Sequence, residues 1–177
     1  SMSAAMVDYD NDGLLDLHTV PQGLFRQVSG GRFERSGLLQ VDESAYRAAI
    51  ANWLDIDNDG RVDLVLAVNP DPDYKPWWRF KDRPVRGTSF DLMAHRNMTP
   101  SRHWLQVDLQ GPAGNRQGIG AVISIETGAA RQTRIVGAAD GSFFSQGHYR
   151  SYFGLGDQPR ATRVRVLWTD GVVQDLG

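Results

Sequence analysis

One nine-residue pattern, Asp-x-Asp-x-Asp-Gly-x-x-Asp, occurs twice in this chain, from Asp8 to Asp16 and from Asp55 to Asp63. Four carboxylates so close together repel one another unless a cation sits among them. Each copy must therefore wind tightly around a common point, with Gly13 or Gly60 permitting the sharp turn. Asp8, Asp10 and Asp12 converge on that point in the first copy, Leu14 offers a backbone carbonyl and Asp16 closes the shell. The second copy repeats this with Asp55, Asp57, Asp59, the carbonyl of Arg61 and Asp63. Such all-oxygen sets suit calcium, a hard cation that takes roughly six to eight oxygen ligands at flexible angles, better than magnesium, which prefers fewer carboxylates and phosphate partners. Two calcium ions are the expected cofactors. Asn11 and Asn58 are placed to stabilise the turn through their side chains. An EF-hand is excluded, because its closing glutamate would fall at Thr19 and Leu66, and because the flanking segments read as strands rather than helices.

The copies mark a longer repeat. Ala4 to Leu17 matches Ala51 to Leu64 at an offset of 47 residues, a length in the range of a propeller blade of about 40 to 50 residues. After the first loop, Leu24-Phe25-Arg26-Gln27 and Gly30-Gly31-Arg32-Phe33 read as strand, turn and strand. The counterpart after the second loop is Ala94-His95-Arg96-Asn97, delayed by an insertion around Pro70 to Thr88. Elsewhere the apolar residues keep the two-residue period of strands, as in Leu105 to Leu109, Val122 to Ile125 and Val164 to Trp168. Val62 to Val68 is more continuously apolar, as expected of a strand covered on both faces. Asp170-Gly171 signals a two-residue hairpin loop. Asp42 to Ile50 is the one helix candidate. The class is all-β. Residues 1–100 are expected to carry the calcium-binding repeats, and 101–177 a second β module without the repeat.

Composition narrows the functions. The formal net charge is -2 in 177 residues, which gives no pull toward nucleic acid. No apolar run approaches the roughly 18 residues of a membrane span. The absence of cysteine removes disulfides, thiolate metal sites and a cysteine nucleophile. Ser1 to Met6 lacks the basic start of a signal peptide.

The aspartate loops and the strand-turn-strand after the first resemble FG-GAP and VCBS repeats, the blades of integrin-α-like propellers. The later segment resembles the ASPIC/UnbV domain through five ordered motifs: His103-Trp104-Leu105, Asn115 to Ala121, Phe144-Ser145-Gln146, Tyr152 to Gly156 and Trp168 to Gly171. The resemblance implies incomplete β-propeller-like blades followed by a small antiparallel β-sandwich or barrel-like module. It implies relatives in cartilage acidic protein and among proteins encoded with enediyne biosynthesis genes, and it brings no catalytic residue. A closed propeller needs several blades. The chain is thus read either as a piece of a longer protein or as a short relative whose open sheet edges pair in a homodimer.

No catalytic motif is present: there is no Gly-x-Ser-x-Gly elbow, no His-Glu-x-x-His and no P-loop. Gly118-Ile119-Gly120 reads as a close-approach turn, and the scattered histidines His18, His95, His103 and His148 as structural or surface residues. The insertion gathers Trp77, Trp78 and Arg79 among basic residues. These side chains suit a binding hot spot for a protein, a glycan or a flat polycyclic ligand, or a cap over a sheet edge. Two function classes follow. One is a non-enzymatic calcium-stabilised binding module. The other is an accessory or catalytic protein of natural-product biosynthesis that binds a hydrophobic polycyclic intermediate. A glycan-binding module is a lesser alternative. Loops of this type suit millimolar calcium, so an extracytoplasmic or secreted location is expected.

Overall fold

The computed structural model describes residues 3–20, 22–39, 48–69, 90–128, 130–138 and 149–176. Every regular element among them is a strand, and every strand pairing is antiparallel. Strands β1 (Ser3–Val7), β2 (Asp16–Val20), β3 (Gly23–Val28) and β4 (Arg32–Arg35) pair in chain order as a four-stranded meander. This is the layout of one propeller blade. Alternation in β2 sends Asp16, His18 and Val20 to the buried face and leaves Leu17 and Thr19 half-covered. Gly30 and Gly31 take the positive φ needed to reverse the chain between β3 and β4.

Strands β5 (Ala48–Leu54), β6 (Asp63–Asn69) and β7 (Asp91–His95) repeat the meander with three members. The helix expected over Asp42 to Ile50 does not form at its C-terminal end, where Ala48 to Ile50 open β5. Seven-residue pairing with β6 overrides the weak helical signal there. The remainder of that segment lies outside the described residues. β6 is the middle strand, with both backbone edges paired. It buries Leu64, Leu66 and Val68 on one face and half-buries Val65 and Ala67 on the other, which accounts for its continuous apolar run. The two sheets stack through Val20 against Ala51, Leu64, Leu66 and Val68. Each of the valines and leucines contributes on the order of 2 kcal/mol when taken out of water. His18, fully buried, accepts a hydrogen bond at Nδ1 from the Trp53 indole at 3.1 Å, so it is a structural residue joining the sheets.

The C-terminal strands build their own core. β8 (His103–Val107) pairs with β11 (Ser151–Gly156), while β9 (Val122–Thr127), β10 (Ala130–Ile135), β12 (Arg163–Leu167) and β13 (Val173–Leu176) form a sheet in the order β10-β9-β12-β13. Ile123, Ile125 and Val166 of that sheet pack on Phe153 and Leu155 of β11. Neither sheet closes on itself, so the module is sandwich-like and not a barrel. The β12–β13 connection is one residue longer than expected. Trp168 N–H donates to the Val172 carbonyl at 2.8 Å, which leaves Thr169-Asp170-Gly171 as a three-residue loop with Gly171 at φ 87°. No helix among the described residues is long and apolar enough to cross a membrane.

Candidate metal centres

Both aspartate loops connect the end of one strand to the start of the next, β1 to β2 and β5 to β6, and their internal bonding is nearly superimposable. In the first loop Asp8 accepts the N–H groups of Asp12 and Gly13, both at 3.0 Å, and Asp12 accepts that of Leu14 at 2.9 Å. In the second, Asp55 accepts those of Asp59 at 3.1 Å and Gly60 at 2.9 Å, and Asp59 that of Arg61 at 3.0 Å. The closing aspartates act alike. Asp16 accepts the N–H of Tyr9 (3.3 Å) and of Gln27 (2.7 Å), and Asp63 those of Ile56 (3.0 Å) and Asn97 (2.7 Å). Asn11 and Asn58 hold the left-handed turn at φ 55° and 57°, a conformation that asparagine tolerates better than most side chains.

The winding brings one carboxylate oxygen each from Asp8, Asp10 and Asp16 within 4.8 Å of one another, and likewise from Asp55, Asp57 and Asp63. Asp12 and Asp59 lie outside these trios, and an arginine bridges each of them to a trio member. Arg26 donates to Asp10 at 2.8 Å and to Asp12 at 2.7 Å, with Arg102 3.7 and 3.9 Å away from the same pair. Arg96 lies 2.8 Å from Asp57 and 3.3 Å from Asp59, and Arg61 also pairs with Asp59. Leu14 and Arg61 follow Gly13 and Gly60 in the loops.

The first trio suits a cation on three observations. Its donors are all carboxylate oxygens. Oδ1 of Asp10 is buried with no hydrogen-bond partner among the described residues, an arrangement that proteins rarely leave uncompensated. Without a cation, burial pushes the Asp8 carboxyl up to about 7, helped by the charge of Asp12 and opposed by the Gly13 N–H. Burial likewise pushes Asp16 up to about 7, against the Gln27 N–H and with the charge of Asp10. Asp59 moves the other way. Burial raises it, but hydrogen bonds from the Arg61 N–H and from Arg96 and Arg61 outweigh that and hold it below the usual carboxylate range.

The C-terminal strands cover both loops by different means. On the first, Gly154 N–H of β11 donates to Asp8 at 3.1 Å and Gly156 N–H donates to the Asn11 carbonyl at 2.8 Å. On the second the cover is side chains. A Cβ on Gly60 would meet the Trp104 ring at 1.9 Å, Gln106 donates to Asp55 at 2.5 Å, the Asp55 N–H donates to the Tyr152 hydroxyl at 3.4 Å, and Arg150 donates to Asn58 at 3.0 Å. Asn11 Nδ2 ties the loops together by donating to the Gly60 carbonyl at 2.8 Å. Beside the second loop an open groove of about 510 Å³ is lined by Leu109, Arg116, Tyr149, Arg150 and Tyr152.

The arginine partners were missed in the sequence. Their signal was present: Arg26 and Arg96 occupy the same place in the aligned segments Phe25-Arg26-Gln27 and His95-Arg96-Asn97. Trp104, Gly154 and Gly156 were visible only as motif letters, since their role depends on a contact between distant segments. Gly118 and Gly120 lie in turns at positive φ, with Leu109 and Trp168 close against Gly118, as a close-approach turn requires. Trp77, Trp78, Arg79, His148 and Phe144-Ser145-Gln146 lie outside the described residues.

Residues 8–66 match the family model described as FG-GAP-like repeat, and residues 111–177 match the one described as ASPIC and UnbV. No curated protein and no solved structure matches the chain.

Proposed function

We propose that this chain, in which FG-GAP-like repeats precede an ASPIC and UnbV segment, is a non-enzymatic binding module stabilised by two structural calcium ions. FG-GAP-like repeats point to binding and interaction. The observation that carries the calcium reading is the pair of matched carboxylate trios, one of them with a buried, unpartnered Asp10 Oδ1. Asp8, Asp10 and Asp16 would hold one ion and Asp55, Asp57 and Asp63 the other, with Asp12, Asp59 and the carbonyls of Leu14 and Arg61 as further oxygen donors. A bound cation supplies positive charge that offsets the mutual repulsion and desolvation of these carboxylates. The division into modules falls near residue 100. An extracytoplasmic location suits loops that fill at millimolar calcium. The β4 edge, exposed along its length, offers a pairing surface for a second copy. The test is thermal unfolding with calcium and with excess EDTA. Chelation lowers the midpoint sharply if the ions hold the loops; superimposable curves overturn the reading.

One observation favours a ligand at the C-terminal module. The groove beside the second loop combines two tyrosines with Arg116 and Arg150, a lining suited to a glycan or a flat polycyclic intermediate. Tyr149→Ala should weaken such a ligand, watched by fluorescence titration. Equal affinity in parent and variant removes the groove from consideration.

A further inference from the structure

The geometry points to Gly154 as a positioning residue for the first metal loop: docking of β11 completes the wall of that loop, so calcium binding there and attachment of the C-terminal strands strengthen each other. The inference rests on the calcium reading above and concerns how that site is regulated. Asp8 Oδ2 receives two donors, Gly13 N–H of its own loop at 3.0 Å and Gly154 N–H of β11 at 3.1 Å. Two residues further on, Gly156 N–H holds the Asn11 carbonyl at 2.8 Å. A register shift in the β8–β11 pairing falls between these two glycines, which pair with Trp104 and His103 of β8. Gln132, whose amide lies beside Gly13 of the loop, donates to the Gly154 carbonyl at 2.6 Å.

The contact leaves no room for a side chain. A Cβ on Gly154 would lie 2.3 Å from Asp8 Oδ2 and 2.5 Å from the Asn11 backbone. Gly154 is not among the residues at positive φ, so space, and not backbone conformation, requires glycine there. Substitution therefore acts on the loop contact itself. The second loop meets the same module through the side chains of Trp104, Gln106 and Tyr152, and its aspartates receive no N–H from β11 among the described residues. Coupling through a fixed backbone donor is thus specific to the first loop. If docking orients Asp8 for the ion, the ion must favour docking by the same factor.

The test uses the full chain in two single-centre backgrounds, Asp57→Asn to leave the first loop and Asp10→Asn to leave the second. Calcium is titrated calorimetrically. Gly154→Ala should weaken calcium at the first loop about tenfold or more, in the range of ordinary coupling between sites, and leave the second within about twofold. Gly114→Ala, a glycine of the same module with nothing within 4 Å of an added Cβ, should change neither. Calcium should slow amide exchange in residues 151–156 of the Asp57→Asn protein, and Gly154→Ala should abolish that slowing. If Gly154→Ala does not fold, Gln132→Ala takes its place, with a several-fold loss at the first loop expected. Equal weakening at both loops, or unchanged affinity at the first, overturns the coupling. Absence of calcium uptake by the parent chain overturns the metal reading, and the coupling with it.

Discussion

The two aspartate loops share their internal bonds almost atom for atom, yet they sit in different surroundings. Asp10 in the first is 12% exposed and Asp57 in the second 37%. The first loop is sealed by the backbone of β11, the second by an indole, an amide and a phenol. The difference teaches that nine residues suffice to fix a loop's geometry, while the strands packed on it decide how its charges are solvated. In the first loop burial raises the carboxyls of Asp8 and Asp16 to about 7.

The shared part of the comparison is broken most severely at the closing aspartates. Asp16→Ala leaves the N–H groups of Tyr9 and Gln27 without their acceptor, and Asp63→Ala does the same to Ile56 and Asn97. Each should cost about 3 kcal/mol in calcium and lower the melting temperature by roughly 10 °C. A loss at one loop that exceeds the other by more than about 1 kcal/mol would show that the loops are not equivalent inside.

The environmental part is sharpened by pH. In EDTA the folded protein binds more protons at Asp8 and Asp16 than the unfolded chain does between their ordinary value of 3.8 and about 7. Stability must then fall as pH rises through that window, by on the order of a few kcal/mol in total. Calcium binding, which needs both carboxylates ionised, should reverse the slope. Melting curves at pH 5 and pH 8, with and without calcium, check the sign. An EDTA curve that stabilises toward pH 8 would mean that burial does not dominate at the first loop.

The cover of the second loop makes a smaller difference. Trp104→Ala uncovers Gly60, and because Trp104 is itself 41% exposed the loss should be about 1 kcal/mol, with calcium affinity at the first loop unchanged. The arginines come last. Arg26 bridges Asp10 and Asp12, and Arg96 bridges Asp57 and Asp59, on partly exposed side chains. Such pairs are worth less than about 1 kcal/mol each. Because they compete for carboxylate oxygens, Arg26→Ala should tighten calcium at the first loop about threefold, and Arg96→Ala less at the second. Weaker binding in Arg26→Ala would make that arginine a support for the ion and not a rival.

Much of this was legible in the sequence because it is local. Spacing placed the carboxylates, Gly13 and Gly60 marked the turns, and the offset of 47 residues aligned two blades. The delayed match of Asn97 to Gln27 proved spatial as well, since both donate to a closing aspartate at 2.7 Å. The helix signal at Ala48 to Ile50 misled because a short amphipathic run cannot compete with a full ladder to β6. The hairpin after Trp168 gained a residue because Gly171 takes the left-handed place of a three-residue loop. What stayed hidden was long-range: no local pattern says that Gly154 faces Asp8, 146 positions away, or that Trp104 rests on Gly60.

The central claim is that both loops bind calcium, and titration calorimetry on the chelator-stripped chain tests it most directly. The account predicts two ions per chain, falling to one in Asp10→Asn and to one in Asp57→Asn. An uptake of none, or of two ions that persists in either variant, would contradict it.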